Sequence, residues 1–162
     1  MADVLNNLET LEEDTQKGKY LTFSLGKEVY GIEIKYVVEI IGIQAITEVP
    51  ELPNFVKGII NLRGKIIPVI DVRLRFKKEP KDYNDRTCII VVDIDEISVG
   101  LIVDTVAEVL AINEQEIVPP PELSKGGQNK YIKGIGKVSG EVKLILDCEK
   151  LLSGDEVESI KI

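Results

Sequence analysis

The sequence predicts an all-β protein made of two tandem five-stranded β-barrels with short helices. Three observations predict it. The chain contains two copies of one pattern, each copy breaks into five short apolar runs separated by turn glycines, and each copy closes on an aspartate that suits a helix N-cap. An offset of 69 positions lays Tyr20 to Ile40 on Ile89 to Val109, pairing Gly31 with Gly100, Val37 with Val106 and Glu39 with Glu108. An offset of 76 lays Lys57 to Phe76 on Lys133 to Leu152, pairing Gly58 with Gly134, Gly64 with Gly140 and Asp71 with Asp147. The seven extra residues fall in a loop that carries Pro-Glu-Leu in both copies, at Pro50 and at Pro121.

The elements of each copy follow from local chemistry. Leu21, Phe23 and Leu25 alternate with polar neighbours, which marks a half-buried strand. Gly26-Lys27 turns it into a second strand over Glu28 to Ile34, and Asp95-Glu96 takes the same place in the second copy. Ile34, Val37, Val38 and Ile41 have helical spacing, while the β-branched run through Ile46 favours a strand, so one helical turn followed by a strand is expected. Val56 to Leu62 and Lys65 to Ile70 flank Arg63-Gly64 as a second hairpin, with Ser139-Gly140 at the equivalent turn. Pro68 lacks a donor and is expected at an edge or a bulge. Asp71 and Asp147 should cap short helices over Val72 to Phe76 and Cys148 to Leu152. Phe23, Ile59 and Val69 are the expected core of the first barrel, and Val91, Ile102, Ile135 and Ile145 that of the second.

These elements divide the chain into a tail over 1–18, a barrel over 19–76, a linker over 77–86, a second barrel over 87–153 and a tail over 154–162, with exchange of strands between the barrels as an open alternative. The tails are charged and expected to be mobile. The polar start Met1-Ala2-Asp3 gives no expectation of a secretory signal.

Composition narrows function. Of 162 residues, 28 are acidic and 20 basic, and the net charge of -8 repels phosphate backbones and anionic lipid, so nucleic acid and membrane insertion are not expected. There is no histidine, which removes the commonest general base and zinc ligand. The two cysteines, Cys88 and Cys148, are expected to be small buried hydrophobes in a reducing compartment. Asp93, Asp95 and Glu96 form an acidic cluster, but self-alignment lays the last two on the turn Gly26-Lys27, which makes them solvated turn residues. No phosphate-binding glycine loop is present, so neither catalysis nor a cofactor is expected.

Difference between the copies is more informative. The first has Asn61-Leu62-Arg63-Gly64 where the second has Lys137-Val138-Ser139-Gly140. Arg63 is one of only four arginines, and a guanidinium fork on a rigid turn suits carboxylate recognition on a partner protein.

The succession YLTFSLGKEVYGIEI, VVEI, VKGIINLRGKIIPVIDVRLRF, VGLIVDTVAEVL and YIKGIGKVSGEVKLILDCEKLL closely resembles the CheW family of bacterial chemotaxis coupling proteins. The resemblance runs from about residue 19 to 153. It implies SH3-like barrels and a non-enzymatic, cytoplasmic adaptor, monomeric when free. Such an adaptor couples methyl-accepting chemotaxis receptors to the histidine kinase CheA through their cytoplasmic tips and the kinase regulatory domain, and is recruited to membrane receptor arrays. The family's receptor contacts, carried over one by one, imply Val37, Glu39, Gly58 and Arg63, with Asn61 and Gly64 shaping the turn. Val37 and Gly58 recur in the duplicate, which by itself suits a core or backbone role, and Glu39 also recurs, so only Arg63 and Asn61 are distinguished by difference between the copies. An adaptor for a non-chemotaxis kinase and, from another class, a small metal-dependent enzyme are the alternatives.

Overall fold

In a computed structural model of the chain, the structure describes residues 17–120 and 130–152. Both expected tails, the second Pro-Glu-Leu and most of the long loop after it lie outside these residues, except Lys17 and Gly18. Among the described residues, eleven strands form two sheets. In chain order they are β1 (Lys19–Leu25), β2 (Glu28–Glu33), β3 (Val37–Gly42), β4 (Val56–Leu62), β5 (Lys65–Asp71), β6 (Cys88–Ile94), β7 (Ile97–Val103), β8 (Thr105–Ala111), β9 (Ile117–Val118), β10 (Ile132–Val138) and β11 (Glu141–Leu146). Two short helices follow the second hairpin of each copy, α1 (Val72–Arg75) and α2 (Cys148–Leu151).

The duplication is real in space, but the sheets do not follow the division at 19–76 and 87–153. One sheet has the order β3-β6-β7-β5-β4 and the other β8-β1-β2-β11-β10-β9. Exchanging each strand for its counterpart in the other copy converts the first order into the second, β9 excepted. Each sheet thus takes its first hairpin from the opposite copy. The parallel junctions coincide, since Val69 pairs with Gly100 in one sheet and Ile145 with Gly31 in the other. The bulges coincide too, at Lys57 between Val56 and Gly58 and at Lys133 between Ile132 and Gly134. The exchange occurs at the β2–β3 and β7–β8 connections. The 3-10 turn Ile34–Tyr36 joins β2 to β3 and Asp104 joins β7 to β8, and at each the chain continues into the other sheet, where β3 pairs with β6 and β8 with β1.

This layout produces three cores. Ile60, Ile67, Val69, Ile89, Val91 and Ile102 fill the first sheet, and Tyr20, Ile112 and Ile145 the second. The largest lies between them and unites Phe23, Tyr30, Ile70, Ile90, Val92, Leu101, Leu146 and Leu151. Strand β6 is therefore buried on both faces, Ile89 and Val91 inward and Ile90 and Val92 toward the other sheet, which explains its unbroken apolar run. An aromatic stack runs through the shared layer from Phe23 to Tyr30, Phe76 and Tyr131, with centroids 5.7, 5.4 and 5.4 Å apart.

Several local expectations hold. The side chain of Asp71 accepts the amide of Leu74, and Asp147 accepts that of Lys150 at 3.1 Å, so both aspartates cap their helices. The helical turn before β3 is present, but β3 ends at Gly42 rather than Ile46. Beyond it the chain bends so that Thr47 exchanges two 2.9 Å backbone bonds with Ile59, joining the end of one edge strand to the other.

Four expectations are corrected. Ile59 and Ile135 are half-buried, because Gly58 and Ile60, like Gly134 and Gly136, occupy the inward positions on either side of them. Pro68 lies neither at an edge nor at a bulge, since β5 is flanked by β4 and β7. Ile59 spends its amide and carbonyl on Thr47, so the Ile59–Pro68 pair is not hydrogen-bonded, and the ring nitrogen faces the side where β7 pairing begins only at Val69. Cys88 is half-buried, with its thiol on the carbonyl of Arg86 at 3.3 Å, whereas Cys148 is buried as expected. The helix after Asp71 stops at Arg75, with Phe76 as its C-cap.

Candidate protein-docking face on the β3 edge and the β4–β5 turn

The turn joining β4 to β5 holds Arg63 at φ 52° and Gly64 at φ 88°. Positive φ at both central residues is the requirement of a type I′ turn, whose twist matches that of the strands it joins. Asn61 fixes the bend by accepting the amide of Gly64 on Oδ1 at 2.8 Å. The counterpart turn has Ser139 and Gly140 at φ 52° and 81°, but Lys137 stands where Asn61 would. The turn is thus built twice and locked by a side chain once.

Arg63 is 71% exposed, yet its guanidinium donates to the carboxylate of Glu39, itself 25% exposed. Glu39 belongs to β3, an edge of the same sheet, and points to the half-buried side with Val37 and Ile41. Val37 packs on the shared core and Ile41 on the core of the first sheet. The sequence offered Arg63 a carboxylate on a partner, and the fold supplies one in the same chain. The self-alignment had singled out Glu39 only as a recurring position. Its counterpart Glu108 is exposed on β8, and the residue aligned with Arg63 is the uncharged Ser139, so the second copy has no residues for an equivalent ion pair.

Gly58 has a backbone role. A Cβ there would lie 2.1 Å from the carbonyl oxygen of Thr47, and its φ is 146°. Only glycine permits the Thr47–Ile59 closure that brings β3 and the β4–β5 turn into one surface. At Gly134 the obstacle is Ile117 Cγ2 at 2.5 Å.

All six expected residues thus share one face. Val37 and Gly58 support it from within, Asn61 and Gly64 set the turn, and Arg63 and Glu39 form its charged centre. What the sequence reading missed is an exposed apolar surface on the other side of β3 and on β5. Val38 and Ile40 are 54% and 43% exposed on β3, and Ile66, which pairs with Asn61, is 43% exposed. The duplicate repeats two of these, with Val109 opposite Ile40 in the alignment and Val142 opposite Ile66, at 49% and 54%. The signal was present, because strict alternation along β3 places Val38 and Ile40 opposite the face that carries Val37, Glu39 and Ile41.

The acidic cluster is accounted for. Asp95 and Glu96 take φ 50° and 67° in the β6–β7 turn, and Asp93 accepts from Ser98, which accepts Lys65 Nζ at 2.7 Å. Among the described residues no three His, Cys, Asp or Glu side chains are grouped to hold a metal ion. No helix among them is long and apolar enough to cross a membrane. Burial pushes the Cys148 thiol up to about 12, away from thiolate chemistry.

The sequence and fold match known proteins over most of their length. Chemotaxis protein CheW of Klebsiella aerogenes is 37% identical over 153 residues, covering 94% of this chain and 92% of that one. FrzA of Myxococcus xanthus is 27% identical over 136 residues, 83% of this chain and 84% of its own. The crystal structure of the scaffolding protein TtCheW from Thermoanaerobacter tengcongensis superimposes with a TM-score of 0.82 at 39% identity, covering 90% of this chain and 99% of that one. The family model of the CheW-like domain matches residues 19–156, and the chain belongs to that family of chemotaxis adaptors.

Proposed function

We propose that the protein is a cytoplasmic, non-enzymatic adaptor that couples chemotaxis receptors to the regulatory domain of the histidine kinase CheA, allowing receptors to control kinase autophosphorylation. The observation that carries this reading is the chemical asymmetry of a geometrically duplicated surface. Ile40 and Ile66 have the exposed counterparts Val109 and Val142, so each half presents an apolar edge, but only the first adds the Arg63–Glu39 pair and the Asn61 lock. Exposed apolar edges on a protein of this size mark interaction surfaces. Two similar but unequal edges suit two different partners. On this reading Val37, Glu39, Gly58, Asn61, Arg63 and Gly64 build the face for receptor or kinase, and the duplicate edge serves the other.

The test is co-sedimentation of the kinase regulatory domain with receptor-bearing vesicles. Sedimentation of that domain should depend on the adaptor and saturate near one adaptor per regulatory domain. If either partner completely displaces the other from the adaptor, bridging is refuted.

A further inference from the structure

The two sheets are filled differently at equivalent positions. The core of the first sheet is Ile60, Ile67, Val69, Ile89, Val91 and Ile102. The self-alignment places Gly136, Lys143, Ile145, Tyr20, Thr22 and Glu33 at the same positions of the second sheet, so only Ile145 remains aliphatic. Ile112 takes part of the lost volume, since a Cβ on Gly136 would lie 3.3 Å from its Cγ2. Where the first sheet has the buried pair Ile89–Ile102, the second has the pair Tyr20–Glu33, and both of these line a cavity of about 490 Å³. Its lining holds satisfied and unsatisfied groups. Glu33 pairs with Lys133 and, at 3.4 Å, with Lys35. Among the described residues Lys17, Lys19 and Glu114, on the same lining, have no ion-pair partner. A fourth open group is buried. Tyr20 is 7% exposed and its ring packs with Ile112 and Ile145, but its hydroxyl has no hydrogen-bond partner among the described residues. Burial and the neighbouring Glu114 carboxylate raise the phenol above its ordinary 10.0 and Lys35 opposes them, so the hydroxyl is near this charged lining and stays a donor at neutral pH. A buried hydroxyl left unpaired costs free energy that the acceptor of a ligand would recover.

From this arrangement we infer that the cavity binds a small acidic α-amino acid, with its two carboxylates on Lys17, Lys19 and the Tyr20 hydroxyl and its ammonium on Glu114. Charge complementarity selects the class. The unpaired lining groups carry one net positive charge with both signs present, and an acidic amino acid carries one net negative charge with both signs present. An inorganic anion or a plain dicarboxylate would leave Glu114 unpaired beside it, and a neutral amino acid would leave one lysine unused. The volume lies within the range of small-molecule sites. Because the counterpart positions are packed with isoleucine and valine, the site belongs to the second sheet alone. The inference is independent of whether the β3 face binds receptor or kinase.

The test is titration of sodium L-glutamate and sodium L-aspartate into the full chain, followed by amide nuclear magnetic resonance shifts, with sodium chloride holding the ionic strength constant. The shifts should saturate and centre on Gly18, Tyr20, Glu33 and Glu114. Tyr20→Phe keeps the ring in the core and removes only the donor, so it should weaken binding about tenfold or more with the unliganded melting temperature nearly unchanged. The double variant Lys17→Ala with Lys19→Ala should weaken it similarly. Succinate, which lacks the ammonium, should bind wild type more weakly than glutamate does, and that preference should vanish in Glu114→Gln. Saturating glutamate should raise the melting temperature of wild type. The proposal is overturned by shifts that never saturate, by equal binding of succinate and glutamate to wild type, or by wild-type binding in either Tyr20→Phe or the double lysine variant.

Discussion

The guanidinium of Arg63 closes onto the carboxylate of Glu39, tying the tip of the β4–β5 turn to the edge strand β3. The two residues are 24 positions apart, and the Thr47–Ile59 closure that Gly58 permits joins the segment after β3 to β4, the strand that leads into the Arg63 turn. An exposed pair of this kind contributes about 0.2–1 kcal/mol to stability. Arg63→Ala should therefore lower the melting temperature by only a few degrees. Its expected effect is on coupling, with receptor-dependent kinase activation falling well below wild type. The double exchange Glu39→Arg with Arg63→Glu separates two roles for the pair. Recovery of activation would show that the ion pair acts by bracing the face, and no recovery that the guanidinium itself meets the partner.

Gly58→Ala should be far more damaging to the fold. The added methyl would meet a backbone oxygen at 2.1 Å, which no rotamer relieves, on a residue already at φ 146°. A loss above about 2 kcal/mol is expected by urea denaturation. Gly134→Ala should cost less, since the atom in its way is a side-chain methyl, Cγ2 of Ile117, and the nearest backbone atom, the carbonyl oxygen of Val118, is 3.5 Å away. Equal effects at the two sites would contradict the closure role given to Gly58.

Asp104 predicts a pH dependence. Arg73 donates Nε to its Oδ1 at 2.7 Å and a second nitrogen to Oδ2, and the amide of Gly26 donates to Oδ2 at 2.8 Å. Burial alone would raise the carboxyl, but these donors outweigh it and hold it below its ordinary 3.8. A depressed carboxylate stabilises the fold above its unfolded value and loses that contribution as pH falls through the folded value. Asp104→Asn should thus be destabilised by roughly 1–3 kcal/mol at pH 7. Its difference from wild type should shrink below about pH 3.8. A difference that stays constant down to pH 2 would contradict the assignment.

The cysteines should respond unequally to a thiol reagent. Cys148 is 2% exposed and its thiol is pushed up to about 12, so at pH 8 it should stay unmodified in the native protein. Cys88, half-buried at the start of β6, should react first, and both should react in denaturant. Rapid native modification of Cys148 would mean that α2 opens readily from the shared core.

The fold was legible in the sequence because duplication supplies an internal alignment. Strand limits at Val56–Leu62, the turns at Arg63 and Asp95 and both aspartate caps follow from local chemistry that the copies confirm in each other. Exchange of hairpins between sheets was not legible. The local pattern is identical whether β1 and β2 pair with their own copy or the other, and the exchange is made at Ile34–Tyr36 and Asp104, which carry no turn signal that distinguishes the two. The inward position of Gly58 misled the assignment of Ile59 for a related reason, since a glycine carries no hydropathy signal of its facing. In the candidate site, the turn residues were legible and the Arg63–Glu39 contact was not, because it spans the closure of the sheet.

The central claim is that one chain joins two partners through unequal copies of one surface. The most direct measurement is the rate of CheA autophosphorylation in receptor-bearing membranes with and without the protein, repeated with Ile40→Asp on one edge and Val109→Asp on the other. The account predicts strong activation by wild type, loss in both variants, and loss of a different single partner in each when binding is measured separately. Activation that persists in both variants, or loss of the same partner in both, would contradict it.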